Sequence, residues 1–406
     1  MATATARTAS AFRSSAFSRF YAGQALSYLG DGLRRLAIPL LVFRLTGSAT
    51  AVGLTWGLEL LPFAIVSLVG GSLADRVDRR RTMLACDGLR FAVMTLLCVL
   101  FATGHLTVAI VYGAVIVLSV GGALFLASQT PSIRYVLGAD GVRGGVAALH
   151  ATEQTVNLVA PPLGGALMGV VGPLPALAIN AFTYLWSQFA IASVRTFGPD
   201  APGRIPKPHE VAADVKDGWR LLMADRTMRI TTFCSLGFNT IGSIGFVVLI
   251  PFFKRAFAAS DAAIGVAFGG FAAGAAIGSF VAGRTHWPVG RALIIANLFD
   301  AVLWIAPPWL HSMSLAVVAF ALASIASGYY MTTIVSWRMR VMPEDAVGRV
   351  FGVVRLLAMV GALPGAIAGG WIADHVGVRQ AVAVSGIGYL MISFVLAFSA
   401  VREETR

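Results

Sequence analysis

The stretch Gly71-Ser72-Leu73-Ala74-Asp75-Arg76-Val77-Asp78-Arg79-Arg80-Arg81 decides the fold of this chain. It lies between two long apolar segments, 49–73 and 83–101. A charged segment this short cannot form a domain, whereas the flanking segments, of 25 and 19 residues, have the length of about 20 mostly apolar residues that a membrane-spanning helix needs. The pattern predicts a tight cytoplasmic turn between two membrane-spanning helices.

The composition of the whole chain supports the same interpretation. Hydrophobic residues make up 57% of the 406 residues and charged residues only 12%, against roughly 45–50% and about 25% in soluble domains. The mean hydropathy is +0.79. A soluble globule could not bury this much apolar surface, so the chain is predicted to be an integral membrane protein.

The net charge of +12 is distributed unevenly along the chain. Basic residues collect in alternate turns between the apolar segments, at 76–81, 134–143, 204–226, 284–291 and 338–349. This asymmetry is typical of cytoplasmic loops, so both termini are predicted to be cytoplasmic and the protein to lie in the plasma membrane. The charge therefore needs no nucleic-acid partner, and the bilayer is the predicted environment.

The apolar segments predict an all-α protein with twelve spans in two six-helix halves. The predicted spans are 17–43, 49–73, 83–101, 106–128, 148–171, 174–194, 230–253, 262–283, 292–309, 315–337, 351–372 and 379–401. The N-terminal half is assigned to 1–194 and the C-terminal half to 230–406, with a linker at 195–229 that contains an amphipathic interfacial helix. A shift of about 205 residues aligns Gly164-Gly165 with Gly369-Gly370, as expected for parallel transporter repeats.

The motifs resemble those of the major facilitator superfamily. Its loop between helices two and three carries Gly, Asp, Arg and further basic residues in the order seen at 71–81, although Asp78 stands where the family usually has Gly. The phrases Gly23-Gln24, Gly30-Asp31 and Leu45-Thr46-Gly47-Ser48-Ala49 resemble the branch of enterobactin exporters and macrolide-efflux proteins, the transmembrane secretion effectors.

This resemblance implies a conformational switch in the loop. The residues concerned are Gly71, Asp75, Arg76, Arg79 and Arg80. In the family the carboxylate at the position of Asp75 faces the start of helix eleven, where unpaired backbone N–H groups favour an anion. The alternative for the arginines is that they only set the topology.

Ionisable residues inside the spans are the candidates for proton coupling, because they are costly in a membrane. Asp31 falls near the middle of span one, with Arg34 and Arg35 one turn away, and Glu59 falls at similar depth in span two with no basic residue within a turn. Either carboxyl could carry the transported proton, or both could be structural. Asp87 and Arg90 are predicted to form a structural pair. The substrate-cavity candidates are Arg34, Arg35, Trp56, Glu153, Asn157 and Arg355.

Span five carries Ala160-Pro161-Pro162-Leu163-Gly164-Gly165. It resembles the superfamily's antiporter motif at Pro161, Gly164 and Gly165, with Ala160 in place of the usual first Gly. Prolines loosen the helical ladder and glycines permit close helix packing. In this superfamily the motif accompanies exporters.

No catalytic, nucleotide-binding or metal-binding motif is recognisable, so the chain is not predicted to be an enzyme or to need a cofactor or metal. The predicted function is proton-coupled export of an amphipathic small molecule, such as a drug, siderophore or secondary metabolite, by a monomer. The alternatives are a proton-coupled uptake symporter, a lipid flippase and a membrane sensor that transports nothing.

Overall fold

A computed structural model describes residues 11–74, 78–194, 197, 208–285, 287–342 and 346–404. Within these ranges the chain is helical and contains no strand. The α-helices are α1 (Ser15–Thr46), α2 (Ala49–Ala74), α3 (Arg79–Ala102), α4 (Val108–Val171), α5 (Pro173–Ala192), α6 (Pro208–Ala224), α7 (Arg226–Phe257), α8 (Asp261–Ala282), α9 (Val289–Ile305), α10 (Met313–Val341), α11 (Val347–His375) and α12 (Val378–Ala397). Short 3₁₀ helices follow α9 at Pro307–Trp309 and α12 at Ala400–Glu403.

Ten helical segments of the described chain are long and apolar enough to cross a membrane. They lie in α2, α3, both parts of α4, α7, α8, α9 with its following 3₁₀ turn, α10, α11 and α12. The predicted spans in α1 and α5 are helical but fall outside this set. In α1, three charged residues stand within the five positions 31–35.

Helix α4 covers two predicted spans without the long turn expected between positions 128 and 148. The helix extends through these positions, and α4 runs from Val108 to Val171. It is broken only at Gly138, whose φ of 72° and ψ of 171° are not helical. Glycine adopts positive φ without steric cost, so a single residue bends the chain where the sequence predicted a loop of about 20 residues.

The helices form two compact units that are not continuous in sequence. The first unit comprises Met1–Leu45, Leu58–Pro206 and Asp261–Gly265, and the second comprises Thr46–Gly57, Lys207–Ser260 and Val266–Arg406. One end of α2 and one end of α8 thus each belong to a different unit from the rest of the helix.

The first unit has an aromatic and aliphatic core at one end of α1. Phe17 and Phe20 are fully buried there against Met83 of α3, Phe125 of α4 and Ile191 of α5. This core fixes α1 against three other helices, and it thereby positions the polar residues that follow along α1.

In the second unit, α6 packs against α7 and α11. A Cβ at Gly218 would lie 2.7 Å from the backbone oxygen of Arg349, and Leu222 is fully buried. Trp219 meets Phe233 edge-on, with 6.4 Å between the ring centroids, a separation typical of aromatic pairs. The helix expected in the linker therefore forms at Pro208–Ala224. The proline-rich start of the linker lies outside the described residues, apart from Pro208.

Also in the second unit, Asp374 near the end of α11 caps the start of α2. Its carboxylate accepts hydrogen bonds from the backbone N–H groups of Ala49 at 2.9 Å and Thr50 at 2.8 Å, and from the Ser48 hydroxyl at 2.6 Å. Arg255 of α7 donates to the same carboxylate at 2.7 Å. A residue distant in sequence thus satisfies N–H groups that have no partner inside α2.

Replacing Asp374 by Ala is expected to destabilise the protein by about 2 to 4 kcal/mol, because a helix cap and a charge-assisted hydrogen bond disappear together. Asp374→Asn retains an oxygen acceptor but loses the charge, so we expect an intermediate loss. Thermal unfolding in detergent measures both effects, and Asp217→Ala, on the exposed face of α6, is the control. An unchanged melting temperature for Asp374→Ala would contradict the capping role.

Candidate functional site

The first unit contains a cluster of alternating acidic and basic side chains. Its members are Asp31 and Arg34 of α1, Glu59 of α2, and Asp87 and Arg90 of α3. We call these five residues the charge cluster. They come from three helices, and each guanidinium lies between two carboxylates, which is the arrangement that makes buried ions tolerable.

Arg34 links α1 to α2. Its Nη2 donates a hydrogen bond to Oε1 of Glu59 at 2.9 Å, and its Nε lies 3.6 Å from Oδ1 of Asp31. Arg34 is buried, with only 7% of the residue's surface exposed. Glu59 has no basic residue within a turn of its own helix, and its partner Arg34 comes from the neighbouring helix instead.

Arg90 links Asp31 to Asp87. It donates to the Asp87 carboxylate one turn earlier in α3, and its Nη1 lies 3.9 Å from Oδ2 of Asp31. The guanidinium also lies over the rings of Phe125 at 4.6 Å and Tyr184 at 4.5 Å, which are cation–π distances. The pair predicted from spacing is present, and it adjoins the candidate coupling carboxyl.

Tyr184 of α5 completes the surroundings of Asp31. Its hydroxyl donates a hydrogen bond to Oδ1 of Asp31, and the side chain is fully buried. Asp31 is thus contacted by one phenol and two guanidiniums.

A line of neutral polar side chains continues along α1 from the charge cluster. Gln24 donates to the Ser187 hydroxyl at 3.0 Å and accepts from Gln129 of α4 at 2.9 Å. Gln129 also pairs with Tyr28. The sequence analysis missed these residues, although Gln24, Tyr28 and Asp31 stand at helical spacing on one face of α1.

Arg35 points away from the charge cluster. It is exposed, and its Nη1 donates to Oδ1 of Asn157 in α4 at 3.0 Å. Glu153, one turn before Asn157, lies 3.7 Å from His150. Three of the predicted cavity residues, Arg35, Glu153 and Asn157, therefore stand together along α1 and α4, apart from the ion pairs of Arg34.

The other two cavity candidates belong to the second unit. Trp56 meets Phe246 of α7 edge-on, with 5.0 Å between ring centroids. Arg355 is exposed on α11.

The antiporter-like motif packs against two helices within the first unit. A Cβ at Gly165 would lie 2.5 Å from the Cα of Gly265 in α8, so only glycine fits at this position. Gly164 faces Leu33 of α1 at ordinary van der Waals distance. Pro161 presents its backbone oxygen to Gly265.

The structure describes only part of the predicted switch loop, which comprises Gly71, Asp75, Arg76, Arg79 and Arg80. Asp75 and Arg76 lie outside the described residues, and Gly71 is in the last turns of α2. Arg80 donates to the backbone oxygens of Ala192 at 2.7 Å and Val194 at 3.1 Å, which ties the start of α3 to the end of α5. Arg79 lies over the ring of Tyr135, 5.4 Å from its centroid.

Asp78, which stands where the family usually has Gly, caps the start of α3. It has a φ of −58°, so the chain does not need the positive φ that glycine would allow here. Its side chain accepts a hydrogen bond from the Arg81 N–H at 3.0 Å and caps α3. Aspartate before a helical segment is a common start signal, and this signal could have been read from the sequence.

Comparison with known proteins gives consistent results over most of the chain. A family model described as transmembrane secretion effector matches residues 6–406. The multidrug efflux pump Tap of Mycolicibacterium fortuitum is 25% identical, over 91% of this chain and 92% of that protein. The enterobactin exporter EntS of Salmonella typhimurium is 26% identical, over 96% of this chain and 92% of that protein.

A solved structure shares the fold. A bacterial homolog to the human lysosomal transporter Spinster, in an inward-facing and occupied conformation, superposes with a TM-score of 0.74 at 14% identity. The match covers 95% of this chain and 96% of that one. At this level of identity the likeness concerns the fold alone.

Proposed function

Because the chain belongs to the transmembrane secretion effector family of the major facilitator superfamily, we propose that it is a proton-coupled exporter of an amphipathic organic molecule. It works as a monomer in the plasma membrane, with both termini in the cytoplasm. We propose residues 1–194 and 230–406 as its two six-helix repeat halves and 195–229 as the linker, a division along the sequence that differs from the two compact units of the fold.

The charge cluster is the observation that carries this proposal. Charged side chains within membrane-spanning helices are costly and are typical of proton or substrate pathways. Asp31 and Glu59 keep side-chain exposures of 20% and 23%, whereas Asp87 is fully buried. Asp31 and Glu59 are therefore the carboxyls to which a proton has access, and a carboxyl that gains and loses a proton can couple transport to the proton gradient.

The similarity to known exporters supports export over uptake. Tap and EntS, which each match over more than nine tenths of their length, are described as a multidrug efflux pump and an enterobactin exporter. The close packing of Gly165 against Gly265 shows that the antiporter-like motif brings two helices to backbone distance, which is a packing role and is independent of transport direction. The substrate itself is proposed only as an amphipathic small molecule.

Cells that express the protein are expected to expel at least one compound from a panel of amphipathic dyes and antibiotics. Expulsion should stop when an uncoupler collapses the proton gradient. The measurement is loss of a preloaded compound from cells, with and without the uncoupler, against cells that carry an empty vector. Efflux that survives the uncoupler but stops on ATP depletion would contradict the proposal, and proton-dependent accumulation would favour the uptake symporter.

A further inference from the structure

The second unit contains a buried carboxylate that pairs with no cation of the described chain. The buried acidic residues in the described ranges are Asp87, Asp261 and Asp300. Asp87 pairs with Arg90, and Asp261 pairs with Arg44. Asp300 is fully buried within α9, and the neighbouring group that stabilises its charge is a serine rather than a base. A lone charge inside a membrane-spanning helix is costly, so Asp300 needs a source of positive charge.

The Asp300 carboxylate has one hydrogen-bond donor among the described residues. The Ser327 hydroxyl of α10 lies 3.0 Å from one carboxylate oxygen and 3.1 Å from the other. A hydroxyl carries a single hydrogen and donates to one acceptor at a time, whereas a carboxylate has about four acceptor positions. Most of the acceptor capacity of Asp300 is therefore left over inside the second unit.

Arg338 is the buried cation in the described part of the second unit, but its contacts lie elsewhere. Its Nη2 donates to the backbone oxygen of Thr231 and to the Ser235 hydroxyl, both at 3.0 Å. Along α10 it follows Ser327 by 11 residues, which is about 16 Å of helix. Arg338 therefore does not neutralise Asp300.

Asn297 places a second oxygen without a partner beside Asp300. It lies one turn earlier on the same face of α9 and is fully buried. Its Nδ2 donates to the backbone oxygen of Leu293 at 3.0 Å, whereas its Oδ1 has no hydrogen-bond partner in the described ranges. A buried acceptor that is left unpaired is costly, so this oxygen also calls for a donor or a cation.

Ser385 of α12 supplies a further oxygen. It is fully buried, and its hydroxyl has no hydrogen-bond partner among the residues that the structure describes. A Cβ at Gly386, the next residue, would lie 2.9 Å from the backbone oxygen of Ala301, which follows Asp300. Tyr389, one turn after Ser385, is within electrostatic range of Asp300. Helix α12 therefore meets α9 at backbone distance beside this carboxylate.

We propose that Asp300, Asn297, Ser327 and Ser385 form a binding site for one monovalent alkali-metal cation, which joins α9, α10 and α12 within the second unit. Carboxylate, amide and hydroxyl oxygens are the ligands that hard cations prefer. A single positive charge neutralises Asp300, whereas a divalent ion would leave an excess charge inside the membrane. Occupancy of this site does not depend on the proposed export function.

A proton is the alternative that the charge count alone allows. Protonated Asp300 would be neutral, but its O–H can donate to one oxygen at a time. An alkali-metal cation is instead shared by several oxygens at once, including those of Asn297 and Ser385 that lack partners in the described chain. The number of oxygens without donors therefore favours the metal cation.

The dependence of stability on alkali-metal salts tests the site. A ligand that binds only the folded state raises the melting temperature, so the purified protein is unfolded thermally in detergent in sodium, potassium or choline chloride at equal ionic strength and pH. The wild-type protein is expected to melt about 3 °C higher in at least one alkali-metal salt than in choline chloride. Asp217→Asn, which removes a carboxylate from the exposed face of α6, is the control and should show the same gain.

Two variants separate a ligand role from a packing role. Asp300→Asn keeps the size of the side chain, and a buried amide costs less than a buried carboxylate. This variant should therefore fold, melt at or above the wild-type temperature in choline chloride, and lose the gain from the alkali-metal salt. Asn297→Ala keeps the charge of Asp300 but removes one ligand oxygen, so we expect it to need an about tenfold higher salt concentration for half of the gain.

Each outcome decides the proposal or one of its ligands. Equal melting temperatures of the wild-type protein in all three salts would overturn the site and leave Asp300 as a protonated carboxyl. A gain that persists in Asp300→Asn would also overturn it, because the cation would then bind elsewhere in the chain. A wild-type salt dependence in Asn297→Ala would remove Asn297 from the ligands, whereas a gain lost in Asp300→Asn and weakened in Asn297→Ala supports the proposal.

Discussion

Replacing Glu59 by Gln is expected to abolish uphill, pH-driven export while downhill exchange of substrate continues. Gln has the shape of protonated Glu, and its amide oxygen can still accept the hydrogen bond from Arg34, 2.9 Å away in the wild-type protein. The helices should therefore keep their arrangement. Because an amide neither binds nor releases a proton at neutral pH, the variant holds position 59 in the equivalent of its protonated state.

The measurement compares two modes of transport of one labelled substrate in proteoliposomes. Accumulation driven by a pH gradient is expected to fall at least tenfold in Glu59→Gln, whereas counterflow exchange without a gradient should stay within about twofold of wild type; tenfold corresponds to about 1.4 kcal/mol. Glu59→Asp, which keeps an acidic group, is the matched control and should retain part of the pH-driven accumulation. Wild-type accumulation by Glu59→Gln would remove Glu59 from coupling and leave Asp31 as the candidate.

The charge cluster shows which parts of a site the sequence can predict. Asp31 with Arg34, and Asp87 with Arg90, are each three residues apart, and helical geometry alone makes them neighbours. The contacts of Arg34 with Glu59 and of Arg90 with Asp31 join different helices. They depend on how the helices pack and rotate, which no local spacing encodes.

The fold shows the same division. The positions of the long apolar segments were enough to predict where helices form, because a chain in lipid must satisfy its backbone hydrogen bonds internally. The prediction of a turn between spans four and five was wrong, because the polar residues there continue α4 on both sides of Gly138. Polarity indicates where a chain leaves the apolar part of the membrane, but it does not show that the helix ends there.

Replacing Arg90 by Met is expected to cause the largest loss of stability of any change in the charge cluster. The variant leaves the fully buried Asp87 without its cation, and it also removes the guanidinium that lies over Phe125 and Tyr184. Removing one partner of a buried ion pair costs about 3 to 5 kcal/mol, because the other charge stays buried without compensation. We expect a severalfold lower yield of monodisperse protein and a lower melting temperature.

Arg35→Met is the matched control for this prediction, because Arg35 is exposed and its hydrogen bond goes to Asn157. Yield is measured by size-exclusion chromatography of a fluorescent fusion, and stability by thermal unfolding in detergent. Adding Asp87→Asn to Arg90→Met should recover a large part of the loss, since an amide costs far less to bury than a carboxylate. Equal yields for Arg90→Met and Arg35→Met, or no recovery in the double variant, would show that the Asp87–Arg90 ion pair does not stabilise the membrane-embedded fold.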